Sequence, residues 1–301
     1  MRLIPAICAV FALMVSAGCA PMVPPPADAG PIEASVDASP SRCRPLSSRM
    51  SFVLARIGFV REDPMRAGVA DGYDLDNRVS MEGDVRTCRH GDLVSPDGHM
   101  GIDNQLASLI PSVDRMTGGA LDGAIQAAIN NGQMLVVLRV EGIDDLCEDS
   151  EVRVSVVRVS GMPFVGSDQL VDSGQTFDLM RTAPMTHTTG RITGGTLELG
   201  PVDLPLPVAV LDAQFVIMFY GARLRVSIAP DGADGQGVIG GGISLAEFMS
   251  ILSTLTIPND LRTTVNGALT LFADLDRDAM GKCQRISGAL RITTRPAFVL
   301  E

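Results

Sequence analysis

Side chains alternate between apolar and polar along several stretches of this chain, and that period of two commits those stretches to half-buried strands. Val152, Val154 and Val156 alternate with Arg153 and Ser155. Leu224, Val226 and Ile228 alternate with Arg223, Arg225 and Ser227. Ile286, Leu290 and Ile292 stand out from Ser287, Arg291 and Thr293 in the same way. Residues 134–140 and 215–219 are nearly continuous apolar, β-branched runs, the pattern of strands buried on both faces. Residues 191–199 form a further strand candidate, in which Gly194 and Gly195 mark a bulge or a close backbone approach. Residues 161–189 carry the least pattern and are expected to form a long loop.

Helices enter at intervals. Residues 104–110 make a short one that stops before Pro111, because proline lacks the N–H a helix interior needs. Leu121, Ile125, Ala128 and Ile129 share a helical face closed by Gly132. Ser244 and Glu247 have capping-box spacing ahead of the stripe Leu245, Phe248, Met249 and Leu252, which Pro258 stops. Asp260 caps a last helix with Leu261, Val265, Ala268, Leu269 and Phe272 on one face. Strands in long blocks with helices grouped between them imply an α+β, mainly β fold. The expectation is one antiparallel, β-sandwich-like domain over 46–301, decorated with three or four helices.

The amino terminus has a different character. Arg2 precedes an almost wholly apolar stretch, residues 3–15, and then Ser16, Ala17 and Gly18 lead to Cys19. A basic start, an apolar core and a small-residue exit make a secretory signal. The apolar run is shorter than the ~20 residues a membrane span needs. Ser16-Ala17-Gly18-Cys19 resembles a bacterial lipobox, with serine where leucine is usual. The resemblance implies cleavage after residue 18 and acylation of Cys19. The Pro-, Ala- and Asp-rich run that follows buries too little to offset its ordering entropy. Residues 19–45 therefore read as a lipidated cysteine on a disordered tether, extended at ~3.1 Å per residue where it is proline-rich.

Cysteine parity supports export. Cys8 leaves with the signal, and lipidation of Cys19 leaves Cys43, Cys88, Cys147 and Cys283. These four can form two disulfides, which persist only outside a reducing cytosol. Three pairings are open. None of the spacings is C-x-x-C, so neither a zinc ribbon nor a thioredoxin-type site is supported.

The chain has 24 basic and 35 acidic residues and a net charge of −11. A chain this acidic is not built to bind nucleic acid, and adhesion to anionic headgroups is disfavoured. An acidic surface suits solubility, divalent cations or basic partners. With no Trp and only two Tyr, the stacking surfaces that bind sugars or single strands are scarce.

Asp/Gly/Asn clusters carry what chemistry the sequence offers. They fall at residues 71–77, 95–104, 144–149, 231–235 and 274–281. Calcium takes six to eight oxygens from carboxylates, carbonyls and waters. Asp274, Asp276 and Asp278 have the alternate spacing that opens an EF-hand loop. Ala279 and Arg285, however, stand where that loop needs glycine and a bidentate glutamate. A looser calcium site from these residues, or one shared with Asp74, Asp76 and Asp103, is the candidate. The plainer alternative is that Asp, Asn and Gly make turns. His90 and His99 read as solvated loop histidines, and the Arg153, Arg158, Arg223 and Arg225 strand faces as solvated sheet. There is no G-x-S-x-G, S-x-x-K, H-E-x-x-H, G-x-G-x-x-G or P-loop, so no catalytic residue is assigned.

The lipobox-like start and tether, residues 71–76, Cys88 with residues 95–98 and 101–106, residues 273–276 and residues 283–288 together resemble a group of myxobacterial envelope lipoproteins. The resemblance implies an exported protein anchored in the cell envelope and brings no activity with it. The leading expectation is therefore a non-enzymatic binding or structural domain held to a membrane by a lipid anchor and stabilised by calcium. The alternatives are a secreted hydrolase without a recognisable motif and a periplasmic carrier of a hydrophobic ligand.

Overall fold

The computed structural model describes residues 43, 45, 47–210, 213–228, 234–255 and 259–301. The signal sequence, Cys19, nearly all of the tether and the Pro258 stop lie outside the described residues, as does most of the 231–235 cluster. The elements in chain order are β1 (Arg49–Phe59), β2 (Leu93–Val94), β3 (Met100–Ile102), α1 (Gln105–Thr117), α2 (Ala120–Asn130), β4 (Val136–Glu141), β5 (Glu148–Ser160), β6 (Gln175–Leu179), β7 (Thr186–Thr193), β8 (Thr196–Val210), β9 (Ala213–Ser227), β10 (Gly235–Ser244), α3 (Leu245–Thr254), α4 (Asn259–Phe272), β11 (Leu275–Arg277) and β12 (Cys283–Leu300).

The fold is α+β and mainly β, as the alternation predicts. Its strands pair antiparallel in the order β1, β4, β5, β7, β8, β9, β10, β12, and β12 then pairs with β1. The ladder thus returns to its start, and the two halves of the sandwich are joined at both sides into a closed barrel. Closure removes the unpaired edges that invite aggregation. The short β6 lies between the ends of β12 and β5, parallel to the first and antiparallel to the second.

Alternation decides which face turns inward. Ile192, Leu197, Leu199, Leu224, Val226, Ile239, Leu290 and Ile292 are all buried in one core. Their neighbours Arg191, Glu198, Arg223 and Arg225 face the other way and are at least partly open to solvent. Helix α2 packs against both β1 and β8, which are four strands apart around the ring. A helix touching both crosses the barrel, and its Ile125, Ala128 and Ile129 join the core.

Three local expectations are corrected. Pro111 lies inside α1, which runs on to Thr117. Burial of Leu106, Leu109 and Ile110 in the core, with Val113 packed against it, outweighs the ~3 kcal/mol a mid-helix proline costs. Gly194 and Gly195, at φ 56° and 76°, form the turn between β7 and β8 instead of a bulge. The stretch expected as a long loop contains β6 and the start of β7.

A second, smaller cluster sits on the opposite face of β10 and β12. It joins Val238 and Ala289 to Val60, Ala70, Leu93, Ile102 and Ala107, with Tyr73 packed against it. The segment between β1 and α1 is therefore laid over the barrel's outer wall. This positions the candidate site.

Candidate functional site

Glycine in β10 makes room for the segment that carries the site. A Cβ at Gly240 would lie 2.6 Å from the Tyr73 ring. With no side chain there, the ring rests on the strand and its hydroxyl donates to the Val238 carbonyl at 3.1 Å. The Arg225 guanidinium stacks 4.7 Å from the centre of the Tyr73 ring and pairs with Asp71. Asn104 fixes the second arm. Fully buried, it donates to the Asp71 carbonyl at 2.9 Å, accepts from the Ala289 N–H at 3.1 Å and caps α1 through the Ala107 N–H.

Between these anchors the chain brings Asp74, Asp76 and Asp103 together, with one carboxylate oxygen from each lying within 4.8 Å of the others. Asp103 is 2% exposed. Its Oδ2 accepts from the Leu75 N–H at 2.6 Å and from the Asp76 N–H at 3.2 Å. Oδ1 of Asp76 is buried with no hydrogen-bond partner among the described residues, an orphan acceptor that normally calls for a donor or an ion. Burial, and then the charges of Asp274, Asp76 and Asp92, push the Asp103 carboxyl up to about 8. Burial also raises Asp76, with Asp74 adding to the effect, and Asp92. Repulsion among desolvated carboxylates is relieved either by protons or by a cation.

The expected Asp274–Asp276–Asp278 group does not join this cluster as a set. Asp274 is close enough to raise Asp103, but its own carboxylate is taken by Ser287, from the N–H at 2.7 Å and the hydroxyl at 2.5 Å. Burial pushes it up to about 7. Asp276 pairs with Arg285 at 2.6 Å. Asp278 folds its carboxylate onto its own turn, accepting from the Met280 and Lys282 N–H groups. The physical reason is local: only Asp276 lies within β11, which is paired to β12, and each of the three carboxylates is already held by its own partner.

Two features escape sequence reasoning. Ser155 and His187 face each other across β5 and β7, with Oγ and Nδ1 at 2.8 Å. They form an exposed cross-strand pair on the barrel wall, readable only once the register is known. Around Tyr220 the hydroxyl binds Glu247, while Arg285 lies 4.1 Å over the ring. The capping serine, Ser244, does accept from the Glu247 N–H at 3.4 Å. The other half of the expected box is replaced by the Tyr220 contact. His90 and His99 have separate partners: His90 reaches the Leu271 carbonyl at 2.7 Å, and His99 is 3.4 Å from Asp97.

The four cysteines form two disulfides, Cys43–Cys147 and Cys88–Cys283. These bridges mark a non-cytoplasmic protein, and they remove the Cys43, Asp145 and Cys147 grouping from consideration as a thiolate metal site. No helix among the described residues is long and apolar enough to cross a membrane. Comparison with protein-family models, with curated proteins and with solved structures finds no match.

Proposed function

We propose that the chain is a cell-envelope lipoprotein, anchored through Cys19, whose barrel is a non-enzymatic binding or structural domain that takes up calcium at Asp74, Asp76 and Asp103. The observation that supports the cation is the convergence of these three carboxylates, one of which, Asp76, keeps a buried Oδ1 without a hydrogen-bond partner among the described residues. Three carboxylates offer up to six oxygens, and water or backbone carbonyls can complete the shell that calcium prefers. In this reading the cation ties the loop after Tyr73 to the start of α1, so it acts on stability and loop order and not on a reaction.

Thermal melts in calcium, in magnesium and in excess chelator test this reading. A ligand that binds only the native state raises the melting temperature as its concentration passes the dissociation constant. Calcium is expected to raise it more than magnesium does, and Asp76→Asn is expected to abolish the rise. An unchanged melt over millimolar calcium would leave the aspartates as turn formers. For the anchor, Cys19→Ser is expected to move the protein from the membrane to the soluble fraction. Continued dependence on detergent would refute it.

A further inference from the structure

Beside the carboxylate cluster lies a cavity of about 420 Å³ whose lining includes Arg78, Arg86, Arg277, Arg285 and Tyr220. Four guanidinium groups around one hollow are unusual in a chain of net charge −11, and their commitments differ. Arg86 is bound to Asp84 at 2.8 Å. Arg285 is held by Asp276 and by the Tyr220 ring. Arg277 spends only Nε, on the Gly281 carbonyl at 3.3 Å. The Arg78 guanidinium meets no hydrogen-bond or ion-pair partner among the described residues; its backbone N–H alone is bound, to Asp74.

No acidic side chain of the lining forms an ion pair with either of these two among the described residues, although the charge of Asp76 attracts Arg78. Asp276 is taken by Arg285, and Asp274 by the N–H and hydroxyl of Ser287. Asp76 turns an oxygen toward Asp74 and Asp103. Gly221 and Gly242 contribute wall without filling the space.

From this geometry we infer that the cavity binds a phosphate group, clasped between Arg78 and Arg277. One guanidinium fork saturates a carboxylate, whereas two forks match the three terminal oxygens of a phosphate monoester. The inference does not require calcium. If the cation reading also holds, a cation on Asp76 strengthens phosphate binding by removing the nearest negative charge.

The test is calorimetric titration of the purified full chain, in chelator at low ionic strength, with inorganic phosphate and with glycerol 3-phosphate. Cosedimentation with vesicles containing phosphatidic acid, a phosphate monoester lipid, runs in parallel. Saturable binding is expected to weaken at least tenfold in the Arg78→Gln/Arg277→Gln double variant and to be unchanged in Arg191→Gln, on the barrel's outer wall. Binding to the soluble ester assigns a small phosphorylated ligand; binding confined to vesicles, with the same sensitivity to the double variant, assigns a lipid headgroup. No binding in either arm, or binding that survives the double variant, overturns the inference. A calcium-dependent melt that persists alongside such a failure shows that the cation reading stands without it.

Discussion

Asp103 is where burial and charge meet most sharply. Burial pushes its carboxyl up to about 8 in the folded protein, against 3.8 for an ordinary aspartate. Asp274 follows at about 7. A group whose folded pKa is raised binds protons more tightly folded than unfolded, so stability falls as pH rises. The stabilisation is fully present below 3.8 and is lost as pH climbs through 7 and 8. In chelator the melting temperature is therefore expected to drop steadily between pH 5 and pH 8, measured at intervals of about one pH unit. Asp103→Asn keeps an acceptor for the Leu75 N–H and carries no charge, so at pH 8 it should melt above the parent in chelator. A flat pH profile for the parent would mean that Asp103 is ionised and hydrated. The acidic residues of this site were legible in the sequence as Asp/Gly clusters. Which of them converge was not, because Asp103 meets Asp74 through long-range contacts, the Tyr73–Asp103 bridge and the Leu75 and Asp76 N–H groups, over the glycine floor of β10.

At the scale of elements, sequence patterning reaches the strands better than their connections. The alternation around Val154, Leu224 and Ile292 locates β5, β9 and β12 and predicts which side chains turn inward. Pairing partners are invisible to it, since β12 meets not only its neighbour β11 but also β1, β6 and β10 from distant parts of the chain. Helix α1 outruns Pro111 because packing of its apolar face overrides local preference. Glycines separate the two kinds of constraint. Gly237 sits where β9 and β10 come close, and a Cβ there would be 2.4 Å from the Arg225 carbonyl oxygen. Gly267 lies in α4 with nothing within 4 Å. Gly237→Ala must push two paired strands apart and is expected to destabilise by roughly 1–3 kcal/mol, the usual cost of overpacking. Gly267→Ala should stabilise by about 0.5–1 kcal/mol, because it restricts the unfolded chain and suits a helix. Urea unfolding of the two variants measures both. Equal effects would show that β10 can relax away from β9.

Over the whole molecule, the two disulfides tie the ends of the chain to its middle. Cys43–Cys147 spans 104 residues and joins the start of the barrel domain to the turn before β5. Cys88–Cys283 spans 195 and pins the outer segment, with its carboxylates, to the beginning of β12. Parity in the sequence allowed two bridges and left the pairing open; the closed ring of strands decides it, because only the folded topology puts residue 88 beside residue 283. Loops of this length restrict the unfolded chain strongly, by about 4–5 kcal/mol each in the chain-entropy model. Their consequences differ, however, because the second bridge holds the site as well as the fold. Cys43→Ser/Cys147→Ser is expected to lower the melting temperature while leaving the calcium-induced rise intact. Cys88→Ser/Cys283→Ser is expected to lower it and to shrink that rise, since the loop bearing Asp74 and Asp76 loses its tie to the wall that carries Asp274 and Ser287. Melts of both double variants, with and without calcium, check this, and peptide mapping of the unreduced protein confirms which bridge each one removes. If both lose the calcium response equally, the bridges stabilise the barrel as a whole and the second one does not specifically order the carboxylates.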